Sequence, residues 1–212
     1  MIDVEQARAL YSEHDAAHGW EHVLRVWRMA LRIAREEGAD AEIASAAALL
    51  HDVGRAEEQA TGRGHAAIGG ERARDILAGQ PPERVEAMVQ AIAQHRFRGG
   101  AAPQSPEARV LFDADKLDAI GAIGVARAYA VAGATGQRLW AEVDEAYAER
   151  DPAAGRGDLD DDAHTPVHEF RFKLDKLPAL MTTATGRRLA EGRQRTMRAF
   201  YARLEREVQG EE

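Results

Sequence analysis

The chain contains no cysteine. Disulfides, zinc–thiolate sites and thiol nucleophiles are therefore excluded, and any metal must be held by histidines and carboxylates. Long apolar runs are missing too. The longest, around Ile43 to Leu50, is too short to span a bilayer. The opening Met1-Ile2-Asp3-Val4-Glu5 has neither the basic nor the apolar region of a secretory signal. These absences lead to the expectation of a soluble, cytoplasmic protein with no membrane partner. Positive charge is in deficit as well. Lys and Arg number 28 against 36 Asp and Glu, a formal net charge of −8. That balance argues against a binder of duplex nucleic acid or of anionic membranes, which need a basic surface. It leaves room for a basic pocket. Only Lys116, Lys173 and Lys176 are lysines, and the remaining cations are arginines, the better fork for phosphate oxygens.

Period-two alternation is absent, and no repeat of fixed period appears. What is present is helical periodicity. Val23, Val26, Trp27, Ala30, Leu31 and Ala34 form an apolar stripe on a helix that Gly38 closes. Asp40 caps a second helix through Ile43, Ala47 and Leu50 to Gly54. A third runs from about His65 to Leu77, and Gly79-Gln80-Pro81-Pro82 ends it and starts a fourth through Val85, Val89 and Ile92. After a loop from Gly99, a long helix beginning near Pro106 carries Val110, Leu111, Leu117, Ile120 and Val125. Leu139 to Arg150 reads as a helix, Asp151 to Thr165 as a polar loop, and Pro166 to Met181 and Thr185 to Val208 as two more helices. The chain is expected to be all-α, with roughly eight or nine helices of ordinary length.

Of the eight histidines, five fall where a helix begins or ends. His51-Asp52 stands in Leu49-Leu50-His51-Asp52-Val53-Gly54. Adjacent helical residues diverge by about 100°, so such a doublet converges on one ion only where the helix end lets the side chains bend together, and Gly54 is placed to allow it. Imidazole plus carboxylate suits Mn, Fe, Ni, Zn or Mg. Taken alone, the doublet reads more readily as a polar helix C-terminus with His51 near the favourable end of the dipole. His22, in His18-Gly19-Trp20-Glu21-His22-Val23-Leu24-Arg25-Val26, lies beside the apolar stripe and faces the core. There it is either a hydrogen-bonded core histidine or a metal ligand. Asp113, Asp115 and Asp118 crowd one turn of an otherwise apolar helix, a costly arrangement unless cations or hydrogen bonds meet them.

These segments resemble the HD-domain superfamily of metal-dependent phosphohydrolases, whose signature is a His, a His-Asp doublet and a distant Asp, as in His22, His51-Asp52 and Asp115. The wider matches are His18-Gly19-Trp20-Glu21-His22, Leu50-His51-Asp52-Val53-Gly54, Asp113-Ala114-Asp115-Lys116-Leu117-Asp118-Ala119-Ile120-Gly121-Ala122, and the C-terminal Phe170, Lys173-Leu174, Leu180-Met181 and Thr182-Thr183. They look like a group of small stand-alone bacterial HD hydrolases. The resemblance implies a compact multi-helix HD bundle with extra C-terminal helices. It would be one domain over 1–212, with an HD core over about 14–130 and an extension over about 131–208. It implies metal ligands His22, His51, Asp52 and Asp115, and a second metal on His65 and His95 with Asp52 bridging. The bland reading of His65 and His95 is a pair of helix-terminal histidines satisfied by dipole and backbone.

The activity implied is hydrolysis of a phosphorylated small molecule, nucleotide-like, by a metal-activated water. The cofactor would be one or two divalent ions of Mn, Fe, Ni, Mg, Co or Zn. Asp52 is the candidate proton acceptor and Lys116 the candidate catalytic cation. His18, Arg55 and Lys116 are candidate substrate contacts, with Arg25 a weaker one. An HD-type diiron oxygenase and a non-catalytic signalling module are the rival readings. His164 and His168 are candidates for a substrate lid, His14 reads as surface, and Asp158, Asp160, Asp161 and Asp162 read as a solvated loop. Arg96 after His95 and Lys116 after Asp115 depart from the group, where Ser and Arg are frequent.

Overall fold

The computed structural model describes residues 1–11, 17–96, 102–152 and 163–211. Among the described residues every regular element is a helix. The chain divides into two compact units, Met1–Asp115 with Thr182–Gly186, and Lys116–Met181 with Arg187–Glu212.

In the first unit, α1 (Val4–Arg8) starts at a capping box, with Asp3 accepting from the Gln6 backbone at 2.8 Å. α2 (Trp20–Glu37) buries Trp20, His22, Val23, Val26, Ala30, Ile33 and Ala34 along one stripe, and Gly38 at φ +72° closes it. α3 (Ala41–Leu50) begins where Asp40 accepts from the backbones of Glu42 and Ile43 at 2.9 and 3.1 Å. Its residues Ala44, Ala46, Ala47 and Ala48 are fully buried, and their small side chains let α2 and α6 (Pro82–Gln94) approach it closely. α4 (Arg55–Thr61) and α5 (His65–Ile76) follow the His51-Asp52 turn, and α5 packs on α6. The core of this unit is thus built around α3, and the His51-Asp52 doublet leaves that core at its C-terminal end.

The sequence expectation of one long helix from Pro106 past Val125 is corrected. α7 (Pro106–Asp118) stops, and α8 (Gly121–Thr135) starts at Gly121, whose φ of +77° is a left-handed conformation that ends a helix and favours glycine. The helix expected over Leu139 to Arg150 is only α9 (Glu145–Glu149), because the Asp144 carboxylate caps it by accepting from the Ala146 backbone at 2.7 Å. The helix expected over Pro166 to Met181 splits into α10 (Pro166–Phe172) and a 3₁₀ segment (Leu174–Leu180) that contains Pro178. Proline has no N–H to give an α-helix and its ring clashes with the preceding turn. α11 (Ala184–Gln209) closes the chain. Within the second unit Phe170 stacks on Tyr201, ring centroids 4.2 Å apart. No single helix among the described residues is long and apolar enough to cross a membrane.

Candidate metal centre

Four helix ends and one helix interior of the first unit deliver side chains to one buried point. His22 comes from the first turn of α2, His51 from the C-cap of α3, and Asp52 from the residue after it. His65 opens α5, and His95 caps α6. Asp115 comes from within α7. His22, His51, Asp52, His65 and His95 are all 5% exposed or less. Gly54 has a different local role from the one the sequence suggested. It is right-handed in conformation, and a Cβ there would stand 2.5 Å from the His65 carbonyl oxygen and 2.8 Å from the Gly69 nitrogen. Its bare backbone lets the doublet turn lie directly against α5.

The distances sort the donors into two sets that share Asp52. On one side, His22 Nε2 and His51 Nε2 are 3.3 Å apart, and each is 3.6 Å from Asp52 Oδ2. Asp115 Oδ1 is 3.5 Å from His22 Nε2. On the other side, His65 Nε2 and His95 Nε2 are 3.3 Å apart, and lie 3.5 and 3.7 Å from Asp52 Oδ1. Edges of this length are what a cation with bonds of about 2.0–2.2 Å to nitrogen and oxygen would span.

Hydrogen bonding decides which ring nitrogens face inward as lone pairs. His51 Nδ1 lies 2.8 Å from the Ala48 carbonyl oxygen and His95 Nδ1 lies 2.5 Å from that of Ile92. A carbonyl only accepts, so both Nδ1 atoms carry the proton and both Nε2 atoms present lone pairs. His65 Nδ1 meets the Glu58 carboxylate at 2.7 Å, with the same result. Burial holds His51 down at about 4, against the pull of Asp52, and burial also lowers His65. Burial alone would raise Asp52. The Arg55 guanidinium, which donates from Nε to Oδ2, opposes that and keeps the carboxyl ionised, below the usual carboxylate range. Asp52 Oδ1 is buried and makes no hydrogen bond among the described residues. An ionised oxygen left so, between two inward-facing lone pairs, fits a cation and little else.

The three acids of α7 are met in three different ways. Asp113 is fully buried and accepts from the backbones of Thr182 and Thr183 at 2.9 and 2.8 Å and from their hydroxyls at 3.0 and 2.6 Å. Asp118 pairs with Arg127 at 3.0 Å within the second unit. Asp115 alone faces the histidines of the first unit. His18 is half-buried with its ring edge-on to His22, centroids 5.8 Å apart. Arg55 Nε donates to Asp52 Oδ2 at 2.6 Å. Lys116 is buried and belongs to the second unit. His164 and His168 are interior groups of that unit: His164 joins the Tyr147 hydroxyl and the Glu169 carboxylate, each at 3.2 Å, and His168 meets Thr165 Oγ1 at 2.9 Å. His14 and the Asp158, Asp160, Asp161 and Asp162 run lie outside the described residues. Sequence reasoning missed Glu58. It reaches His65 across the turn at Gly62 and Gly64, so no helical spacing relates the two.

Residues 19–120, which span the candidate ligands from His22 to Asp115, match the HD domain family. Over 207 residues the chain is 31% identical to the uncharacterized protein YpgQ of Bacillus subtilis strain 168, covering 96% of this chain and 90% of that one. The chain belongs to the HD-domain superfamily. Solved HD-type relatives share the fold along nearly their whole lengths. The crystal structure of Bacillus subtilis YpgQ in complex with ADP superposes with a TM-score of 0.74 at 30% identity, covering 99% of this chain and 100% of that one. A Lactobacillus plantarum protein gives 0.75 at 32% identity, covering 98% and 95%. A structure named an HD-superfamily hydrolase, from Bacillus thuringiensis, gives 0.66 at 28% identity, covering 97% and 96%.

Proposed function

We propose that this HD protein is a divalent-metal-dependent phosphohydrolase acting on a nucleotide-like phosphate ester. One observation carries the reading: the buried Asp52 carboxylate turns one oxygen to each of two imidazole pairs, and its Oδ1 has no hydrogen bond. His22, His51, Asp52 and Asp115 would hold one ion, and Asp52, His65 and His95 a second. The donor set of imidazoles and carboxylates suits Mn, Fe, Ni, Co, Zn or Mg. Cations held there supply an acidified water and a Lewis acid toward a phosphoryl oxygen. YpgQ in complex with ADP supports a nucleotide-like ligand.

The chain's own residues divide the remaining work. Asp52 is ionised and out of water, and is proposed to take the proton of the attacking water. Asp115 and Arg55 are the exposed rim, with 18% and 27% of their side chains accessible. The phosphate therefore arrives past them. Arg55, fixed through Nε on Asp52, is proposed to neutralise it, and Lys116, the residue after Asp115 in α7, to hold a non-bridging oxygen.

The test is a screen of metal-stripped protein against nucleotides and other phosphate mono- and diesters with Mg, Mn, Ni, Co or Fe restored. Metal-dependent release of phosphate or pyrophosphate is expected, and Lys116→Ala should lower kcat/KM about tenfold, ~1.4 kcal/mol of transition-state stabilisation, at unchanged metal content. Absence of hydrolysis with every metal, together with oxygen uptake by the iron-loaded protein, would overturn the reading in favour of an oxygenase.

A further inference from the structure

Three inward-facing imidazoles of the centre are braced at Nδ1, and one brace is unlike the others. His51 and His95 rest on main-chain carbonyls. His65 rests on a carboxylate, and Glu58 grips it twice: Oε2 meets the ring Nδ1 at 2.7 Å and Oε1 accepts the His65 backbone N–H at 3.1 Å. Arg96, the residue after His95, reaches the same Oε1 at 3.4 Å. It does so over Gly64, where a Cβ would come within 2.7 Å of the guanidinium. Glu58 therefore ties the start of α5 to the end of α6, the two elements that carry His65 and His95.

We propose that Glu58 is the positioning residue of the second ion, and the proposal rests on the two-ion reading given above. The argument is one of proton placement. His65 Nε2 and His95 Nε2 stand 3.3 Å apart, and the bonds at both Nδ1 atoms leave neither Nε2 with a hydrogen. Their lone pairs oppose each other across a gap that a cation fills. Without the Glu58 carboxylate, His65 is able to move its proton to Nε2 and donate to His95, and that N–H···N bond would close the half-site. The carboxylate also places a full negative charge behind the imidazole, which makes it the more basic ligand. His22, His51 and Asp115 lie outside this brace, so the first ion does not depend on it.

Metal-stripped wild type and Glu58→Gln are titrated with Mn²⁺ by calorimetry, bound Mn²⁺ is counted by EPR, and imidazole tautomers are read by ¹⁵N NMR before metal is added. The expected result is two ions on the wild type, with first-ion affinity unchanged in the variant. Its second ion should bind ~10–100-fold more weakly, and the His65 proton should shift toward Nε2. Glu58→Asp, which keeps the charge, is the second variant should Glu58→Gln not fold, and it should retain the Nδ1–H tautomer. A wild type that takes up a single ion would overturn the two-ion reading and this proposal with it. Two ions held by the wild type, with second-ion affinity unchanged in the variant, would overturn the role of Glu58 alone.

Discussion

Among the described residues histidines are buried in two places, and the two groups are wired in opposite ways. In the first unit, the Nδ1 protons of His51, His65 and His95 are tied to acceptors behind the rings, so the Nε2 lone pairs face the Asp52 carboxylate, His51 at Oδ2 and His65 and His95 at Oδ1, the oxygen with no hydrogen bond. In the second unit, His164 is spanned at both ring nitrogens, by the Tyr147 hydroxyl and by the Glu169 carboxylate, which also takes Lys173 Nζ at 2.9 Å. The first arrangement concentrates acceptors and calls for a cation. The second balances donors against acceptors within the protein and holds α9 and α10 together. Buried histidine is therefore no signal of a metal site by itself. The side on which the proton is fixed, and whether a carboxylate oxygen remains without a donor, separates the two cases.

The sharpest way to break this comparison is Asp52→Asn, which keeps the shape and removes the charge shared by both imidazole pairs. It should abolish stable metal uptake, read by elemental analysis after dialysis, and with it nearly all hydrolysis. Retention of two ions would mean that the carboxylate is not the link between the pairs. A smaller effect of another kind is expected from His164→Leu. Metal content should stay at the wild-type level, while urea denaturation shows a loss of ~1–3 kcal/mol because Tyr147 and Glu169 lose a buried partner. A change in metal content would show that the second group is more than a structural network.

The effect that is smallest per unit step distinguishes the groups by pH. His51 titrates near 4 in the folded chain against 6.5 for the free group. Between those values the unfolded chain binds the proton and the folded chain does not, so stability rises with pH across that window. The metal-free protein should thus lose up to ~1.4 kcal/mol per pH unit from this residue as pH falls from about 6.5 towards 4. The signature of His51 is the part of that slope removed in His51→Asn. An identical slope in the variant would place the acid sensitivity elsewhere.

Much of this was legible along the chain. Asp40, Gly38 and the Pro81-Pro82 pair mark helix ends by local chemistry, and the boundaries they predict for α2, α3 and α6 lie close to those observed. His22 and the His51-Asp52 doublet could be singled out from their places beside an apolar stripe and at a helix end, whereas His65, His95 and Asp115 were joined to them by the resemblance to the HD-domain superfamily. What periodicity could not supply were decisions made by distant partners. The hydrogen bonds that meet Asp113 come from Thr182 and Thr183, 69 and 70 residues away. Glu58, between two expected helices, gains no role from the sequence because its partner His65 lies beyond a turn. The apolar positions Leu117, Ile120 and Val125 carry a helical rhythm straight through Gly121, although the backbone reverses its φ there.

The contact at Gly54 has a mechanical consequence. Because the doublet turn lies backbone to backbone against the first residue of α5, with no side chain as a cushion, Asp52 and His65 ride on one stiff joint. A carboxylate mounted this way cannot be shifted for one imidazole pair without being shifted for the other. The smallest residue in the turn thus sets how closely the Asp52 turn and the start of α5 meet.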